Sequence, residues 1–350
     1  MRYLFSRLLL MLPTLFVILL INFVVVQIAP GGPIEEQLDK IASEQQSLAT
    51  QGFALANLNY IGSAGLSDEM LAELQTRFGY DLPVAERFWQ MLSRFVQFDL
   101  GESFFQGQSV MSLIATKLPI TMLLGALSLM VMYAAGVMIG LYKARYHRTM
   151  GDYLTTFVLA ILHALPVVVL ALFLLVLLAG VGTWQIFPLQ GVVSDNFAAM
   201  NLFDKAKDLL WHLTLPVLAS SLGSVAGIAY LTKFGLLAEF DKPYVLAMRT
   251  RGLPFSRIIY RQVLKNALLP VVAQLPMVVV GVLFTGNLLI EVIFGIDGIG
   301  RLGFDAVMQR DYPLMFGILY VFTLISMLTQ LLFDLLYHYL DPRVDFAHVG

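Results

Sequence analysis

Hydrophobic and charged positions alternate along this chain on the scale of whole helices. Six stretches carry no Asp, Glu, Lys or Arg and are closed by charges: Leu8–Ile34, Leu118–Tyr142, Tyr153–Ser194, Leu209–Thr232, Asn266–Ile290 and Tyr312–Phe333. About 20 helical residues cross the roughly 30 Å of hydrocarbon in a bilayer, and a charged residue at mid-span costs about 2.5–3.5 kcal/mol. Each stretch is therefore read as one span, and the pattern predicts an all-α polytopic membrane protein with six transmembrane helices. Tyr153–Ser194 exceeds one span, so its tail from Thr183 to Pro188 is read as interfacial, with Trp184 at headgroup depth. Pro166, Pro216, Pro270 and Pro276 predict kinks. The first apolar run is too long for a signal-peptide core and meets Pro30 where a cleavage site would fall, so it is read as a retained span.

These boundaries divide the chain into an N-terminus and first span (1–29), an external helical insertion (30–117), a five-helix core (118–340) containing a loop at 237–268, and a tail (341–350). Within the insertion, residues 34–66 are rich in Gln, Ala, Ser and Asn without strong periodicity. Ser67 is placed as the cap of a helix ending at Gly79, with Met70, Leu71, Leu74 and Phe78 on its apolar face. A second helix is expected after Pro83, with Phe88, Trp89, Leu92, Phe95 and Val96 on one side.

Composition supports the membrane reading. Hydrophobic residues make up 58% of the chain and charged residues 13%, against about 25% charged in soluble domains. The net charge of −2 points to no nucleic-acid partner, and the absence of cysteine excludes disulfides and cysteine–metal sites. Lysine and arginine concentrate in the N-terminus, the Lys143–Asp152 loop and the Lys233–Lys265 stretch, which places both termini in the cytoplasm.

The most basic of these stretches runs from Asp241 to Pro270. Asp241 is expected to cap a short helix with Pro243 in its first turn. Arg249 and Arg251 fall near its end, Gly252 offers a left-handed stop, and Pro254 prevents continuation. Arg257, Arg261 and Lys265 then recur every fourth residue as a basic stripe. Charge alone leaves two readings: a positive loop against lipid headgroups, or a docking knob for a cytoplasmic partner.

Catalytic chemistry is sparse. No glycine-rich phosphate loop occurs, so the chain does not hydrolyse ATP by itself, and the five histidines have no metal-ligand spacing. His163, in mid-span, reads as a packing residue. Glu291 and Asp334, near span ends, read as snorkelling or structurally hydrogen-bonded groups. Gln274, Thr285 and Asn287 are polar positions in the fifth span, facing either a substrate pathway or a neighbouring helix. Gly136-x-x-x-Gly140 and Gly223-x-x-x-Gly227 predict close helix packing.

Taken together, several blocks resemble one family: the permeases of dipeptide, oligopeptide and nickel ABC importers. Tyr244-Val245 through Arg251-Gly252-Leu253 to Leu269-Pro270 is similar to that family's cytoplasmic EAA-type loop, with Leu246-Ala247-Met248 where the general pattern has Glu-Ala-Ala. Further matching blocks are Pro30-Gly31-Gly32-Pro33, Phe98-Asp99-Leu100-Gly101-Glu102-Ser103, Leu118-Pro119, Leu215-Pro216, Glu291-x-Ile293-Phe294, Gly298-x-Gly300-Arg301, Arg310-Asp311-Tyr312-Pro313 and Leu340-Asp341-Pro342-Arg343. Phe187-Pro188-Leu189-Gln190-Gly191 and the insertion look most like the microcin C/oligopeptide branch.

The resemblance implies the type I ABC importer permease fold in a bacterial inner membrane. It implies a second, homologous permease subunit, a cytoplasmic ABC ATPase that uses ATP and Mg, a periplasmic peptide-binding protein and a peptide substrate. This chain itself is then no enzyme and binds no cofactor or metal. Tyr244, Ala247, Arg251, Gly252 and Leu253 are the positions it assigns to ATPase coupling. A nickel or opine importer is the alternative within the class; an ATP-independent channel or membrane scaffold is the alternative outside it.

Overall fold

The computed structural model describes residues 2–28, 82–180, 182, 184–283 and 288–340. The expected Ser67–Gly79 helix, residues 34–66, Thr285, Asn287 and the tail 341–350 lie outside them. Among the described residues the chain is helical, with a single isolated β-bridge, Glu102 to Ser109. The helices are α1 (Arg2–Ile28), α2 (Val84–Val96), α3 (Val110–Arg145), α4 (Met150–Ala164), α5 (Val167–Leu178), α6 (Leu202–Phe240), α7 (Pro243–Thr250), α8 (Phe255–Ala273, with a π turn at Ile259–Val263), α9 (Leu275–Leu283), α10 (Leu288–Ile293), α11 (Ile299–Met308) and α12 (Tyr312–Leu340).

Among the described residues, three helices are long and apolar enough to cross a bilayer alone: Val110–Arg145, Leu202–Phe240 and Tyr312–Leu335. Two bent pairs qualify jointly, and Leu9–Val25 is a shorter apolar helix. The run Tyr153–Ser194 is broken rather than kinked. Leu165 and Pro166 both take extended backbone (ψ 128 and 140), and α4 and α5 diverge by 102°. Proline lacks an N–H and forces the preceding residue out of the helical region, so two adjacent residues leave the helix together. The α8–α9 pair bends by 44° just before Pro276. Pro216 behaves otherwise and lies inside the unbroken α6.

Helix starts also depart from the apolar runs. Leu118-Pro119 and Leu215-Pro216 do not open their helices; α3 begins at Val110 and α6 at Leu202. Charges such as Lys117, Asp204 and Lys207 mark where hydrocarbon ends, whereas a helix starts where its first N–H groups find acceptors. For α6 the cap is Asn201, whose side chain accepts from the Asp204 N–H at 2.9 Å.

The chain forms two compact units, 1–116 with 303–324 and 117–302 with 325–350. In the first, α2 buries Phe88 and Phe95. Phe88 meets Phe16 and Phe23 of α1, and Phe95 meets Tyr320 of α12. Trp89 and Val96, expected on the same face, are exposed, because the buried side of this 13-residue helix is narrower than its apolar stripe. Asp311 joins two separate sequence blocks. It accepts from the Ser103 hydroxyl (2.5 Å) and the Phe104 N–H (3.2 Å), and is itself buried at the start of α12.

The second unit is built on α6. A Cβ at Gly136 would lie 2.6 Å from the Ile228 Cβ, and one at Gly140 2.5 Å from the Thr232 Cβ, so α3 and α6 touch backbone to backbone. Gly235 lies equally close to the Ala267 carbonyl of α8. Gly223 faces the Leu162 carbonyl of α4 at 3.6 Å and accepts a contact from His163 Nδ1 at 2.9 Å, while Gly227 has nothing within 4 Å.

Two buried carboxylates tie the ends of this unit. Glu291, fully buried, accepts from the Thr121 hydroxyl (2.8 Å) and from the N–H groups of Gly300 and Arg301 at the start of α11. Side chains at Gly298 and Gly300 would occupy the space of that carboxylate. Of the two sequence readings of Glu291, the structural hydrogen bond is the one realised. Asp152 of α4 lies between Lys143 of α3 and Lys233 of α6, with Nζ–Oδ distances of 2.8 Å.

Gly140→Leu is expected to force α3 from α6 and cost about 1–3 kcal/mol, the usual range for overpacking. Gly227→Ala should leave stability unchanged. Thermal unfolding of the detergent-solubilised protein checks both; equal midpoints for the two variants would remove the α3–α6 contact as the reason for Gly140.

Candidate coupling site

The loop between α6 and α8 packs on the ends of those two helices and of α3. Helix α6 ends at Phe240, and Asp241 is its C-cap in helical backbone (φ −84, ψ −4). Asp241 therefore does not cap α7, as expected from sequence. An N-cap needs extended backbone, and Lys242 has it (φ −74, ψ 144). Pro243 takes the first helical position, where a missing N–H costs nothing.

The far end of α7 closes in a Schellman arrangement. Gly252 is left-handed (φ +75), its N–H donates to the Arg249 carbonyl at 3.0 Å, and the Leu253 N–H donates to the Met248 carbonyl at 3.3 Å. Leu253 and Met248 also share one apolar cluster, the side-chain contact that accompanies this motif. That cluster centres on Val245, fully buried with Leu236, Ile258, Val263 and Ala267. It fixes which side of α7 faces in.

The assigned coupling residues therefore separate into two groups. Ala247, Arg251 and Gly252 lie exposed, beside Leu246, which is 64% exposed. Tyr244 and Leu253 are half-buried against the cluster and seat the helix. The Tyr244 hydroxyl donates to Glu239 at 2.5 Å, and Lys242 pairs with the same carboxylate. Asn266 of α8 hydrogen-bonds both Glu239 and Tyr244. Burial, with the Glu239 carboxylate second, pushes the Tyr244 phenol above its ordinary range, so it stays a hydrogen-bond donor at neutral pH.

Sequence reasoning placed Val245 in this helix and gave no role to Glu239 or Asn266. The one signal for Glu239 was an acid five residues before Tyr244, directly after Leu236-Leu237-Ala238. Arg249 stacks on Phe255 (4.8 Å), which packs on Phe240 (5.4 Å), so this cation folds back over the loop. Arg257, Arg261 and Lys265 are all exposed, opposite the buried Ile258, Ile259, Val263 and Ala267. Gln274, assigned to a pathway, is exposed at the bend between α8 and α9.

The loop thus places a short helix at the end of α6, seated on Val245 and presenting small and basic positions to solvent. The family model for the binding-protein-dependent transport system inner membrane component matches residues 136–346, and the chain belongs to that family. It is 40% identical to the inner membrane ABC transporter permease protein YejB of Escherichia coli O157:H7, over 98% of both chains. It is 39% identical to the peptidoglycan transport system permease protein YejB of Agrobacterium fabrum, again over 98% of each. The oligopeptide transport system permease protein OppB of Salmonella typhimurium is 27% identical over 99% of this chain and all of its own length.

Gly252→Val should abolish transport while leaving the protein in the membrane. A left-handed residue costs an ordinary side chain about 1–2 kcal/mol, and β-branching adds to that, although nothing stands within 4 Å of the new Cβ. Gly252→Asn should retain most transport, because Asn tolerates this conformation. Uptake assays in membrane vesicles decide it, and equal activity of the Val and Asn variants would exclude a backbone role.

Proposed function

We propose that this chain is one of two homologous permease subunits of a peptide importer driven by a separate ABC ATPase. The observation that carries this reading is whole-length similarity to ABC transporter and oligopeptide permeases, combined with a short helix that presents Leu246, Ala247 and Arg251 to solvent. In this proposal α7 sits in a cleft of the cytoplasmic ATPase, and both chain termini are cytoplasmic. A periplasmic binding protein delivers peptide at the opposite face. ATP and Mg act on the partner, and this chain makes and breaks no bond.

ATP-driven closure of the ATPase displaces α7. Tyr244, Glu239 and Asn266 pass that displacement to α6 and α8, because a rigid tie transmits what a flexible loop would absorb. The spans tilt and the pathway opens outward; hydrolysis returns it. Gln274 is proposed to line the pathway together with Thr285 and Asn287, neutral groups suited to peptide backbones rather than particular side chains. The naming of relatives for peptidoglycan and oligopeptide transport supports peptides, including cell-wall peptides, as the substrate class, and the sequence resemblance to the microcin C branch adds peptide antibiotics to the proposal.

The test is reconstitution of the assembly with its ATPase and binding protein in liposomes. ATP hydrolysis should rise several-fold on adding peptide and binding protein, with labelled peptide accumulating in the lumen. Copurification without any nucleotide-binding subunit would overturn the reading in favour of a scaffold; ion conduction without ATP would favour a channel. Stimulation by nickel alone would move the substrate class.

A further inference from the structure

We propose that Asp152 is a positioning residue for transport: with Lys143 and Lys233 it locks the ends of α3, α4 and α6 into one body that moves with α7. The inference rests on the function proposed above.

The geometry is specific. Lys143 is fully buried; its Nζ reaches Asp152 Oδ1 at 2.8 Å, the Asp152 carbonyl at 2.9 Å and the Thr156 hydroxyl at 2.5 Å. Lys233 Nζ lies 2.8 Å from both Asp152 oxygens. The Arg148 N–H donates to Asp152 Oδ2 at 3.1 Å, so the α3–α4 turn and the distant helix α6 meet on one carboxylate. Ion pairs buried this well are directional: the attraction is strong in low dielectric, and sliding one helix past another would strand a charge.

The location gives the lock its use. Lys233 and Glu239 are six residues apart on α6, about 9 Å at the helical rise. Glu239 holds Tyr244 of α7. One residue before Lys233, Thr232 packs on Gly140 of α3. A push on α7 therefore enters α6 just beyond the three-residue lock, and α3 and α4 are bound to follow. Without the lock, α6 could shear against them and the stroke would be lost.

The chain has no cysteine, so spin labels can be placed uniquely within it. Phe157→Cys on α4 and Ala238→Cys on α6, both exposed, report the distance between the two helices in the full assembly, its other subunits freed of reactive cysteine. The distance is expected to stay the same between nucleotide-free and ATP-bound assemblies; a shift between them overturns the proposal. Lys233→Met should lower peptide uptake per ATP hydrolysed by roughly fivefold, within the range seen for mutations along a coupling network, and Lys233→Arg should restore it. The neutral, similarly sized Lys143→Met/Asp152→Asn/Lys233→Met variant keeps the fold testable without buried charge. If it assembles with the ATPase and couples normally, the lock has no role in transmission. Loss of the ATPase from wild-type assemblies would instead refute the underlying function.

Discussion

Gly136 and Gly140 let the backbone of α3 come against α6 at distances no side chain would allow. In a bilayer, lipid tails are as apolar as leucine, so helices gain little by burying apolar surface against each other. They associate through close van der Waals contact and hydrogen bonds. The arrangement of the second unit follows from that limit. Its longest helix, α6, carries small residues toward its neighbours: Ala226 and Ala229 are buried, and Gly235 touches α8. Large apolar side chains such as Phe157, Phe173 and Phe234 remain exposed on the outside.

Close contact alone lets helices slide, and the polar groups supply what packing omits. Asp152, Glu239, Glu291 and Asp311 are buried carboxylates, and each accepts from donors on at least two segments. A buried carboxylate is tolerable only when its lone pairs are met, and that requirement fixes register as hydrophobic contact cannot. Each of the four sits at the end of an apolar helix, where the chain turns and a tie between segments has the most leverage.

The short helix α7 gains its rigidity from the same logic. Its start is set by Pro243 and the Tyr244–Glu239–Asn266 cluster, its end by the Gly252 turn, and its inner face by Val245. The exposed side includes Leu246, Ala247, Arg251 and Gly252. In the proposed docking, a partner that grips this side would hold α6 and α8 as well.

Local chemistry made part of this legible from residues alone. Apolar runs bounded by charge announce helices in a membrane because the cost of a charge in hydrocarbon acts residue by residue. Gly252 announced its turn because an ordinary side chain is strained at φ +75, and Pro166 announced a departure from straight helix, though read as a kink rather than the break it makes. Tertiary structure decided everything that needs two distant segments. It selected Gly136 and Gly140 for tight contact and left Gly227 with open space, although both pairs have the same spacing. It turned Asp241 into the end of one helix rather than the start of the next. It paired Asp152 with Lys143 and Lys233, and Glu291 with Thr121, residues that look like ordinary flanking positions when read singly. A residue type and its neighbours specify a conformational preference; which groups meet is set by other helices, and only the folded chain brings them within reach.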